Sequence, residues 1–124
     1  MLRRSANVIL NITFIGILLV TVSGLAVAES DSASANFWLP SCHHVAAGKL
    51  DEGNAFRTGG CAGIINGLLF LGRSAGVFCQ PDGVTIRQAV RVVVQFLDQH
   101  PARTNENFNA LAIEAMRAAW PCSH

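Results

Sequence analysis

Thr85-Ile86-Arg87-Gln88-Ala89-Val90-Arg91-Val92-Val93-Val94-Gln95-Phe96-Leu97-Asp98-Gln99-His100-Pro101 is the stretch that decides the fold. Thr85 can cap a helix, and Gln88 follows three residues later, the spacing of a capping box. Ile86, Val90, Val93 and Leu97 recur at i, i+4, i+7 and i+11, one stripe of a 3.6-residue helix. The β-branched run Val92-Val93-Val94 would suit a strand. The cap and the spacing predict a helix to about Gln99 instead. His100-Pro101 stops it, because the proline ring disfavours helical backbone in the residue before it. Val92 and Phe96 lie on a second side of this helix. Either the first half of the chain or a second copy of the protein would cover them.

Working outward, Asn105 is predicted to cap a helix from Glu106 to Ala119. Phe108, Leu111, Ala112, Ala115, Met116 and Ala119 form its apolar face, and Pro121 ends it. Upstream, Pro40 or Ser41 opens a short helix that Gly48 ends. Lys49 to Asn54 reads as a polar turn. A second helix runs from about Ala55 to Ser74, with Phe56, Ile64, Ile65, Leu68, Leu69 and Leu71 as its apolar residues. Gly76 to Gly83 is a connector. Phe37 and Trp38 are expected to plug the core, and Trp120 to pack beside Cys122. The fold class is therefore all-α, a small four-helix domain.

Four cysteines, Cys42, Cys61, Cys79 and Cys122, allow three disulfide connectivities. In an antiparallel helix pair, residues equidistant from the turn lie side by side. Cys42 and Cys61 are centred on the Lys49–Asn54 turn, and Cys79 and Cys122 on His100-Pro101. Each pair can close its own hairpin, so the expected bonds are Cys42–Cys61 and Cys79–Cys122. A zinc site is disfavoured, because no C-x2-C spacing exists and His43 and His44 point apart on a helix.

The chain has 124 residues, of which 14% are charged and 51% hydrophobic. That excludes a disordered polyelectrolyte. A formal charge of +1 without a basic cluster argues against nucleic acid. Met1-Leu2-Arg3-Arg4, the apolar run Val8 to Val22 and Ala26-Val27-Ala28 read as a signal peptide over residues 1–28, cut after Ala28. An uncut leader would instead anchor the chain in the membrane. Cleavage leaves a flexible segment over 29–36, a helical domain over 37–124 and a net charge of −1. An exported, oxidising location also suits the even cysteine count.

Catalysis finds little support. No G-x-S-x-G is present, the cysteines are expected to be oxidised, and the four histidines are scattered. No catalytic, metal or cofactor residue is assigned. Gly59, Gly63 and Gly67 form GxxxGxxxG on the second helix. The apolar stretch around them is too short to span a membrane, so close packing of another helix against bare backbone is expected. Arg87 and Arg91 share a flank of the third helix and form either a solvated edge or a contact for an acidic partner. The turn from His100 to Asn107, with Arg103 and Asn105, is one candidate contact for a protein partner. The Lys49–Asn54 turn is the other.

Five motifs bring a family resemblance. Phe37-Trp38-Leu39-Pro40-Ser41-Cys42 resembles the "N-x-(F/W)-L-x-x-C" opening of the Rap/Tai immunity proteins of type VI secretion. Cys61-Ala62-Gly63-Ile64-Ile65-Asn66-Gly67 is similar to their "C-x-G-Y-I-x-G", with Ile64 where an aromatic is usual. Phe78-Cys79-Gln80-Pro81-Asp82-Gly83-Val84-Thr85 is similar to "F-C-x-P-(E/D)-G-V-T". Val92 to Pro101 resembles "V-V-x-(Y/F)-L-x-x-H-P", and Ala118-Ala119-Trp120-Pro121-Cys122 resembles "A-(F/W)-P-C". The resemblance implies an all-helical, disulfide-bonded periplasmic protein. It implies further a homodimer that inserts a protruding segment into the active cleft of a cell-wall amidase toxin. Two rivals stand beside it. One is a periplasmic acid-stress chaperone of the HdeA type, for which eight acidic residues and a high apolar fraction are a poor match. The other is an envelope protein without a toxin partner.

Overall fold

The computed structural model describes residues 32–49 and 51–123. The leader, its cleavage point and the first residues of the 29–36 segment lie outside the described residues. Four helices follow: α1 (Ala35–Ala46), α2 (Ala55–Ala75), α3 (Ile86–Gln99) and α4 (Phe108–Ala119). Single 3-10 turns, Glu52–Asn54 and Pro101–Arg103, enter or follow the hairpin bends. Among the described residues there is no strand, only one isolated bridge between Ser34 and Asn107.

α1 begins earlier than Pro40, which lies inside it. Proline has no N–H to donate and normally opens a helix. Here the first turn finds its partners elsewhere. The Ala35 and Asn36 N–H groups donate to the carbonyls of Glu106 and Thr104, at 2.9 and 2.7 Å. Phe108 N–H donates back to Ala33 O at 2.8 Å. This zipper satisfies donors that a helix start leaves orphaned, and Ala35 is buried beneath it. At the other end Gly48 takes φ +70°, a left-handed conformation that closes α1, with Lys49 N–H on His44 O. α2 ends the same way at Gly76.

α3 starts as the cap requires, with Thr85 Oγ1 accepting from Gln88 N–H at 3.1 Å. Ala89, Val90, Val93, Val94 and Leu97 are buried, two adjacent rows of one face. Ile86, placed on the stripe by its spacing, is instead exposed. It stands in the first turn, on the rim of grooves that residues of α1 and α2 also line. Val92 and Phe96 are half-buried and pack against the core of the chain itself. The cap of α4 is Asn107 rather than Asn105: its Oδ1 accepts from Ala110 N–H at 3.1 Å. Asn105 stays in the preceding turn. Phe108, Leu111, Ala112, Ala115 and Met116 are buried, while Ala119, in the last turn, is exposed.

Two aromatic residues seat against bare backbone. A Cβ at Gly60 would collide with the Trp38 ring, and one at Gly72 with the Phe78 ring. Trp38 packs partly buried against the core, and its Nε1 donates to Ser32 O at 2.7 Å. Phe37 stays half-buried outside that core, edge-on to Trp38 and under the Arg57 guanidinium. The glycines of the GxxxGxxxG run behave differently. A Cβ on Gly59, Gly63 or Gly67 would meet nothing within 4 Å. The expected helix against these glycines is absent from the described residues, and the run faces outward.

Cys42 bonds to Cys61 with Cα atoms 5.5 Å apart, and Cys79 to Cys122 at 4.9 Å. The first bond is buried between α1 and α2. The second ties the α2–α3 connector to the chain after α4, where Cys79 N–H also donates to Trp120 O at 2.9 Å. In the chain-entropy account, loops closed across 19 and 43 residues stabilise by ~3 and ~4 kcal/mol. Cys79 is exposed and Cys42 is not, so limited dithiothreitol should open Cys79–Cys122 first. Trapping of the freed thiols followed by peptide mass spectrometry checks the order. Chemical denaturation of a Cys79→Ala, Cys122→Ala variant should show a loss of ~4 kcal/mol.

Candidate protein-binding surface

The bend between α3 and α4, residues 100–107, carries several exposed residues. Its geometry is set by one arginine. Arg103 Nε and Nη2 donate to the two carboxylate oxygens of Glu106 at 2.8 and 2.9 Å. Nη1 and Nη2 also donate to both carboxylate oxygens of Glu114, each at 2.8 Å. A guanidinium paired bidentately with two carboxylates fixes both distance and orientation, and here it ties the bend to α4. The backbone zipper to residues 33–36 holds the bend from the other side. Thr104 Oγ1 donates to Pro101 O, and His100 Nδ1 lies 2.7 Å from Phe96 O with its ring stacked on that of Phe96. What stands clear of these ties is Ala102 and Asn105, both exposed.

The sequence-derived contact residues thus divide. His100 and Arg103 brace the bend internally, and Asn105 is displayed by it. Arg87 and Arg91 serve the other hairpin. Arg91 Nε donates to Ala46 O at 3.1 Å, and the Arg87 guanidinium lies against Gly48. Both cations therefore sit at the carboxyl end of α1, where unpaired carbonyls carry partial negative charge. His43 Nε2, 3.1 Å from Asp98 Oδ1, adds a further α1–α3 tie. At the Lys49–Asn54 turn, His44 Nε2 lies 3.9 Å from Asp51 Oδ2.

Sequence reasoning placed Phe56 and Leu71 with the apolar residues of α2 and left out Phe70. In the structure Phe56 is 78% and Phe70 76% exposed. Their separation of fourteen residues, with the open glycines between, was the available signal. Grooves of about 340 and 240 Å³ flank this face, and Ile86 lines both. Beside Phe70, the buried Gln80 Oε1 has no hydrogen-bond partner among the described residues. No three His, Cys, Asp or Glu side chains among the described residues gather to hold a metal. All four cysteines are in disulfides. No described helix is long and apolar enough to cross a membrane.

The pattern of the family described as Rap1a immunity proteins matches residues 34–122, and the chain belongs to that family. Membership points to an immunity protein for a secreted toxin, an inhibitor that acts by binding a protein partner. Neither a curated protein nor a solved structure matches the chain.

The carboxyls of Glu106 and Glu114 are held below the ordinary range, chiefly by their hydrogen bonds from Arg103, and Arg103 is correspondingly raised. A lowered carboxyl stabilises the fold above its unfolded pKa, about 4.3. That contribution is lost as pH falls through the folded values. The thermal midpoint should therefore drop below pH ~4.3, and Arg103→Ala should flatten the drop. Melting curves of both proteins across acid pH check this.

Proposed function

We propose that this chain is a periplasmic immunity protein. Its leader is cut after Ala28, and it blocks a type VI cell-wall amidase toxin by inserting the 100–107 bend into the active cleft. It works as a homodimer. The observation that supports this reading best is the bend itself, tied at Arg103 to two carboxylates and at its backbone to the start of α1. A segment already held in one shape loses little conformational freedom on docking, so more of its contact energy appears as affinity. Family membership supports a toxin as the partner. Arg87 and Arg91, braced at the end of α1, form the edge of a second contact, alongside the Lys49–Asn54 turn.

The test fills the displayed surface without touching its ties. Ala102→Arg combined with Asn105→Arg places bulk and charge where a cleft would close, and leaves Arg103, Glu106 and Glu114 in place. Peptidoglycan hydrolysis by an amidase toxin from an adjoining reading frame is the readout, with circular dichroism to check folding. Inhibition should weaken by at least tenfold, about 1.4 kcal/mol. Unchanged inhibition by the folded variant would remove the bend from the contact.

A further inference from the structure

We propose that the outward face of α2 docks this protein on an anionic phospholipid surface. Phe56 and Phe70 enter the acyl layer, and Lys49, Arg73 and Arg87 meet the lipid phosphates. Among the described residues the exposed large hydrophobics are Phe56, Phe70, Leu71 and Ile86. Three are on α2, and Ile86 borders the grooves that Gly59 and Phe70 line. Apolar surface gathered on one side of a small protein marks a protein or membrane contact. The 100–107 bend, proposed above to enter a toxin's cleft, lines neither groove.

The shape of the face favours a fluid partner. Phe56 and Phe70 are fourteen residues apart, about 21 Å along the helix axis and within about 40° around it. Both stand out from the surface, 78% and 76% exposed. Gly59, Gly63 and Gly67 lie between them on the same side, and a Cβ on any of the three would meet nothing within 4 Å. A rigid partner would need two sockets at the matching separation to bury these rings. A bilayer yields wherever a ring enters. With glycine between the rings, the helix backbone can approach the headgroups closely, and both rings reach the acyl boundary together.

Charge sets the sign of that bilayer. α2 carries Arg57 and Arg73 and no acidic residue. Lys49 and Arg87 line the groove beside Gly59, Arg73 lines the one beside Phe70, and no acid lines either. The Lys49 and Arg73 side chains make no hydrogen bond or ion pair among the described residues, which leaves both cations open to phosphate. Asp51 and Glu52 line a separate hollow at the start of α2, so attraction is strongest toward the Phe70 end. An apolar helix face flanked by cations is the pattern of helices that lie in a membrane interface. The route of the chain agrees. Trp38 Nε1 donates to Ser32 O at 2.7 Å, and the Trp38 ring meets that of Phe56, so the chain enters the domain beside this face. Ten residues separate Ser32 from Val22, the end of the leader's apolar run, a tether of at most about 35 Å. On the export reading above, that tether keeps the face within reach of the bilayer during translocation. The exposed rings and the cations are independent of that reading.

Co-sedimentation of the mature, oxidised protein with lipid vesicles tests this. Vesicles of phosphatidylglycerol mixed with phosphatidylcholine should bind it at least tenfold more tightly than phosphatidylcholine alone, and added salt should shrink the difference. Phe56→Ser and Phe70→Ser, at exposed positions outside the core, should each weaken binding to the mixed vesicles at least fivefold. Arg73→Glu removes a cation and adds an anion. At roughly fivefold for each charge, binding to the mixed vesicles should fall ~25-fold. Ala118→Ser, on the exposed side of α4, should change nothing, and circular dichroism checks that every variant is folded. Absence of binding to the mixed vesicles overturns the membrane contact, as does binding that survives both phenylalanine variants. Unbound vesicles combined with loss of toxin inhibition, or of a dimer, in Phe70→Ser would give the face to a protein instead. Cell fractionation decides export separately: a chain recovered from the cytoplasm overturns that reading whatever the vesicles show.

Discussion

The bond between Cys42 and Cys61 lies in the middle of the core, and the other packing is arranged around it. It joins α1 to α2 across the first hairpin with neither cysteine exposed. α1 contains a proline, and α2 contains five glycines, so neither helix has high intrinsic propensity. Helices of that kind are held by tertiary contacts more than by their own hydrogen bonds. The crosslink supplies such a contact covalently. With α1 held on α2, Trp38 settles against Gly60 and the rear of α1 lies on α3.

From that fixed point the order passes to the opposite end of the molecule. The start of α1 is paired to residues 104–108 by backbone hydrogen bonds. The bend that follows α3 is therefore held by the same helix that the core disulfide holds. Arg103 completes the bracing from α4. Rigidity at a displayed segment thus comes from a chain of contacts that begins at a crosslink remote in sequence. The grooved face of α2 lies outside this chain of contacts, and its glycines at 59, 63 and 67 meet no neighbour there.

The fold class was legible because its signals are local. Thr85 with Gln88, the spacing of Val90, Val93 and Leu97, and the left-handed Gly48 are each readable from a few neighbouring residues. Boundaries set by distant partners were not. Pro40 looked like a first residue because nothing near it reveals that Glu106 and Thr104 supply acceptors for Ala35 and Asn36. Asn105 and Asn107 are both good caps by type, and only the zipper to Ala33 selects the second. Ile86 fits the stripe by period but sits on the rim of two grooves that α2 leaves open beside it. At the candidate surface, residue type named Arg103 without showing that its charge is consumed by two carboxylates. The α2 face was misread because glycine spacing permits close approach without requiring that a helix make it.

The central claim is that oxidation staples this chain into two helical hairpins. It is tested most directly by proteolytic peptide mapping of the natively oxidised protein under conditions that block thiol exchange. The claim predicts two crosslinked peptides, one joining Cys42 to Cys61 and the other Cys79 to Cys122, with no free thiol. A Cys42–Cys122 or Cys61–Cys79 crosslink, or stoichiometric free cysteine, would contradict it.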